Sequence, residues 1–162
     1  MEGRPLKQLF ISYAHSDQRL ADDFLGRLHP HLKAAREYDY RLWRDTMILP
    51  GENWAEEISQ ALEACDFGLL LTSPAFFASD FIRDEELIRF VPASLEKGLP
   101  PKRAIPVGLA RYSFDLIDTR GLTDQQIYRH QGKFYEECAG AGRSRFVADL
   151  FARLVQATRK AQ

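Results

Sequence analysis

Cysteine is scarce: the chain has only Cys65 and Cys138, far apart and outside any CxxC or Cys/His cluster. That excludes a disulfide framework and a structural zinc site, and it suits a reducing cytosol, so a cytoplasmic location is expected. His29 and His31 flank Pro30 with no third ligand nearby, so surface or packing roles are expected for both and no metal is predicted. Charge of one sign is also missing. Twenty-two Lys and Arg stand against 23 Asp and Glu, a net charge of −1, which removes the bulk attraction behind non-specific nucleic-acid binding. No apolar run approaches the ~18 residues of a membrane span, and the polar stretch Met1 to Lys7 does not read as a secretion signal. Neither a nucleic acid nor a membrane is an expected partner.

Phosphate cradles are lacking too. No GxGxxG follows the first predicted strand and no GxxxxGK[ST] occurs, so redox dinucleotide binding and P-loop nucleotide hydrolysis lose their anchor. A phosphoacceptor receiver needs acidic clusters at the ends of its first and third strands, where this chain has Ser12-Tyr13 and Thr72-Ser73. Asp66-Phe67-Gly68 matches the kinase magnesium tripeptide by letters only, since it opens a predicted strand and no HRD or VAIK element accompanies it.

What is present is an alternation of two periodicities. With 45% hydrophobic and 28% charged residues in 162, the composition is that of one globular domain, expected to span 1–162. Leu9 to Tyr13, Tyr40 to Trp43, Phe67 to Thr72 and Ala104 to Leu109 read as short buried strands. Gln126 to His130 is expected to supply a fifth. Between them, Leu20, Phe24, Leu28 and Leu32 mark one amphipathic helix, Trp54, Ile58 and Leu62 a second, and Phe76 to Val91 a third with Ser79 or Asp80 as N-cap. Arg145 to Lys160 closes the chain as a C-terminal helix, whereas 112–142 is hard to read. Strands alternating with helices imply an α/β fold, an open parallel sheet with helices on both faces, whose ligands bind at the carboxyl ends of the strands. The residues to interrogate are therefore Tyr13 to Asp17, Arg44 to Asn53, Thr72 to Glu86 and the loop after Leu109.

Three of these segments carry a resemblance. Phe10-Ile11-Ser12-Tyr13 with Asp17, then Asp45 through Pro50-Gly51 to Trp54 and Ile58, then Ser73 through Ser79-Asp80-Phe81-Ile82 to Glu86-Leu87 occur in an order and spacing similar to a Toll/interleukin-1 receptor (TIR) domain of bacterial type. The likeness is good over about 6–109 and weaker over 110–162. It implies a flavodoxin-like fold with five parallel strands. For function it implies one of two things: an NAD glycohydrolase that cuts the nicotinamide–ribose bond, yielding nicotinamide and ADP-ribose or a cyclic ADP-ribose, in bacterial antiviral defence or virulence; or a non-catalytic TIR–TIR adaptor. NAD is then substrate, and no cofactor is expected.

Enzymatic members of the family use one glutamate on the helix after the third strand, and here two compete. Glu86 precedes Leu87 and stands one α-helical turn after Ile82, while Glu85 stands one turn after Phe81. Glu86 is favoured as catalytic residue, with Glu85 the alternative. A lone carboxylate suffices for this chemistry, because a cationic nicotinamide leaves readily and what needs stabilising is an oxocarbenium-like ribose. On the same resemblance Ser12, Tyr13, Asp17, Arg44, Phe81 and Ile82 are candidate substrate-binding residues, with Tyr13 and Phe81 as stacking walls or, for Phe81, plain core packing. Ser12 is small enough to let a ligand approach. Met47, Ile48, Leu49, Pro50 and Gly51 match the loop that in this family inserts under a neighbouring domain, implying homotypic self-assembly; folding back onto their own core is the other reading. With one domain in the chain, a separate sensor protein or a fused domain would supply any further trigger.

Overall fold

The computed structural model describes residues 3–45 and 53–161. The apolar run near the start forms β1 (Leu6–Ser12), flanked by β2 (Asp39–Trp43) and β3 (Phe67–Thr72), with β4 (Ala104–Gly108) beyond β3. The order is β2-β1-β3-β4 and every pairing is parallel. All six residues of β3 are buried, as its nearly unbroken apolar sequence requires of a strand covered on both faces.

Side-chain alternation along the strands divides the core into two layers. Leu9, Ile11, Leu69 and Leu71 face α1 (Gln18–Ala34) and the C-terminal helix Ala141–Lys160, packing with Phe24, Leu28, Phe146 and Leu150. Phe10 and Leu70 face the opposite way, toward Ile58 and Leu62 of α2 (Trp54–Ala64) and Phe76 of α3 (Pro74–Ala78). Gly68 keeps this second layer tight, since a Cβ there would lie 2.5 Å from the Phe90 ring. Among the described residues no helix is long and apolar enough to cross a membrane.

Two expectations are corrected. The sheet has four strands, not five: the segment expected as the fifth touches β4 at one residue, where Tyr128 donates to the Pro106 carbonyl and accepts from Gly108 N–H, both at 2.8 Å. Pro106 has no N–H to extend that ladder, and the chain then reverses through Gln131 and Gly132, both at positive φ. Second, the single helix expected over Phe76 to Val91 is broken. After α3, Ser79 restarts the chain by capping Ile82 N–H with its hydroxyl and Arg83 N–H with its carbonyl. A π-helical turn follows at Ile82–Glu86, then 3-10 turns at Leu87–Phe90 and Pro92–Lys97.

Candidate active site

Three strand ends converge on one cavity of about 330 Å³. From β1 the chain continues through Tyr13, Ala14, His15 and Ser16; from β2 comes Asp45; from beyond β3 come Ala75, Ser79 and the π turn; and Trp54 at the start of α2 closes the rim. Local capping fixes these approaches. Ser73 accepts Phe76 N–H at 2.9 Å to start α3, and Asn53 accepts Glu56 N–H at 3.2 Å to start α2. The position, at the carboxyl ends of parallel strands on either side of β1, is where open α/β sheets bind ligands.

Glu86 lines this cavity yet is only 6% exposed. Ser12, itself buried at the end of β1, donates its hydroxyl to Glu86 Oε1 at 2.5 Å. Burial pushes the Glu86 carboxyl up to about 7; the Ser12 hydrogen bond opposes that rise, the Asp45 charge adds to it, and His15 works against it. A buried carboxyl group whose ionisation is displaced by its surroundings, inside a cleft, makes Glu86 the candidate functional group here, and it is not a solvated helix carboxylate.

The π turn explains why Glu86, and not Glu85, is inside. Leu87 N–H bonds to the Ile82 carbonyl, an i to i+5 pairing that inserts one residue into the turn. Phe81, Ile82 and Glu86 thus share the cavity wall, five residues from the aromatic to the acid. Ile82 and Glu86, the pair expected on one face, both line the cavity, while Phe81 lines it and also the groove that Glu85 faces. Glu85 is exposed and faces a separate groove, of about 450 Å³, between α2 and the π turn.

The other predicted residues divide. Tyr13 lines the cavity as a buried wall: Arg44 donates to its hydroxyl at 2.7 Å and lays its guanidinium 5.0 Å from the ring centre. Arg44 also bonds Asp22 at 2.5 Å, so it braces Tyr13 from behind rather than entering the cavity. Asp17 turns away, accepting the Ser73 hydroxyl. Phe81 packs against Trp54, ring centres 4.6 Å apart. Met47 to Gly51 lie outside the described residues.

His15, Asp45 and Trp54 were not among the predicted site residues. His15 Nε2 lies 2.7 Å from Asp45 Oδ2 at the cavity lip, and Trp54, expected as the first core position of α2, is 43% exposed while Ile58 and Leu62 take the core. The first two occupied loops already marked as strand ends; nothing in the helical pattern distinguished Trp54 from a core residue. A cleft of about 470 Å³ beside β2, between Arg4, Lys33 and Arg41, holds no buried carboxylate.

A family model for the TIR domain matches residues 9–135. The chain belongs to the TIR domain family. No curated protein matches it. The TIR match begins within β1 and ends at Tyr135, so it takes in the whole Glu86 cavity and the turns after β4 that sequence resemblance reached only loosely. In this TIR domain the buried acid stands on a π turn, with an aromatic pair at the rim.

Proposed function

We propose that this TIR domain hydrolyses NAD at the nicotinamide–ribose bond, with Glu86 as the catalytic carboxylate. One observation carries the reading: a glutamate 6% exposed, held by a buried serine, in a cavity at the carboxyl ends of the strands. When the C1′–N1 bond breaks, its electron pair goes to the pyridinium nitrogen, nicotinamide departs neutral, and positive charge grows on the ribose. A carboxylate fixed beside C1′ stabilises that charge without solvent reorganisation. Water then bonds to C1′ and gives up a proton, leaving ADP-ribose; capture by the adenine of the same molecule would give a cyclic product. Trp54 and Phe81 offer aromatic surface for a planar ring at the rim.

Self-assembly belongs to the same proposal. Asp45 and Trp54, which flank the apolar segment Met47 to Leu49 in the sequence, both line the cavity. On this reading that segment meets a neighbouring copy of the domain, which makes activity a function of concentration.

The test is nicotinamide release from NAD by concentrated or tethered protein. Wild type turns over, Glu86→Ala falls by about 100-fold or more, and Glu85→Ala stays within about threefold, because removing one preorganised electrostatic group costs ~10²–10³ in rate. Loss in Glu85→Ala alone moves the role to Glu85. A wild type that is inert when clustered but still captures another TIR domain is an adaptor.

A further inference from the structure

Hydrolysis and cyclisation differ in one respect that the cavity lip addresses. Water is a poor nucleophile until it loses a proton, whereas a ring nitrogen attacks with its lone pair and loses none. Glu86 is committed to the ribose charge and to Ser12, so on the NAD-cleaving reading above a second group is needed for the water proton.

His15 and Asp45 have the required arrangement. Asp45 Oδ2 accepts from His15 Nε2 at 2.7 Å, which fixes the proton on Nε2 and leaves the Nδ1 lone pair free. The Asp45 side chain is 18% exposed and that of His15 is 74% exposed, so the pair joins a sheltered carboxylate to an imidazole open to solvent. Both residues line the same cavity as Glu86. Asp45 Oδ1 is buried with no hydrogen-bond partner among the described residues, a cost that a polar ligand group would relieve. The His15 ring sits 6.4 Å from the ring of Tyr13, another residue of the cavity wall.

The geometry points to His15, oriented by Asp45, as the general base that activates water in this site. Nδ1 takes a proton from the water as its oxygen bonds to C1′ of the ribosyl cation. Asp45 stabilises the resulting imidazolium, and the exposed ring passes the proton to bulk solvent. Glu86 needs no change of protonation in the cycle. His15 and Asp45 thereby select the acceptor: with them water competes well, and without them nitrogen nucleophiles win.

The experiment compares clustered wild type, His15→Ala and Asp45→Asn with NAD alone and with NAD plus 3-acetylpyridine, separating nicotinamide, ADP-ribose and the exchanged dinucleotide by chromatography. In both variants ADP-ribose formation falls by about 100-fold or more, as loss of a general base does. Pyridine exchange, which breaks and forms only C1′–N bonds, falls far less, so the exchange-to-hydrolysis ratio rises at least tenfold or so. Equal loss of both reactions overturns the assignment, because that is what a binding or folding role produces; unchanged hydrolysis overturns it as well. Wild type silent in both reactions refutes the NAD-cleaving reading itself, and this inference with it.

Discussion

The Ser12 hydroxyl donates to Glu86 across 2.5 Å, joining the end of β1 to the π turn 74 residues later. The bond has a direction: a hydroxyl that donates favours the charged carboxylate, so Ser12 holds down a carboxyl that burial pushes up.

Ser12→Ala therefore acts on the pH profile as well as on the rate. On the NAD-cleaving reading, wild-type kcat/KM for NAD is expected to rise with pH through about 7 as Glu86 ionises and to level off above. Without the serine the midpoint moves upward, and kcat/KM at its plateau drops by about 10- to 100-fold, the value of a hydrogen bond to a charged group of ~1.5–3 kcal/mol. Nicotinamide release between pH 5.5 and 9 reads both effects. A lower rate with an unmoved midpoint would show that Ser12 does not act through Glu86.

Glu86→Gln is expected to stabilise the protein while abolishing its activity. The carboxyl ionises near 4.5 when unfolded and near 7 when folded, so the unfolded state releases its proton first and stability falls as pH rises through that window. That loss amounts to roughly 3 kcal/mol by pH 8, at ~1.4 kcal/mol per pH unit between the two midpoints. Glutamine removes it and can still accept from Ser12. Thermal unfolding of the variant should show Tm higher by on the order of 10 °C at pH 8, with little difference at pH 4. A variant less stable than wild type at pH 8 would contradict the burial cost assigned to the charge.

The π turn carries its own test. Removing Asp84, an exposed residue inside the turn, leaves Glu86 four residues after Phe81 and turns the insertion into an ordinary helical step. Activity should survive within about tenfold and remain dependent on Glu86, since an α-helical turn of that length presents the same face. Dependence on Glu85 in the shortened chain would show that the register is set from the other side of the turn.

Much of this was legible in the sequence, for reasons that differ by element. The central strand Phe67–Thr72 announced itself because a strand buried on both faces is apolar throughout, and α1 did so because Phe24, Leu28 and Leu32 keep one stripe. The fifth strand failed because pairing depends on a partner's free groups: Tyr128 meets β4 beside a proline that cannot donate. Helical spacing alone did not choose between Glu85 and Glu86, since each has an apolar partner one turn back, Phe81 or Ile82, and only the folded chain shows that Glu86 is buried and Glu85 exposed. His15 and Asp45 come from different strand ends and meet only through the parallel order β2-β1, which places both at one lip.

The rim has a consequence for how the cavity can be watched. The chain has two tryptophans; Trp43 is stacked on Phe10, ring centres 5.2 Å apart, in the layer beneath the sheet, while Trp54 stands half open at the mouth against Phe81. The emission of Trp54 is thus exposed to whatever enters, and the emission of Trp43 is a steady background. A ring sliding between Trp54 and Phe81 would darken one indole and leave the other bright, so the protein carries its own optical reporter of occupancy.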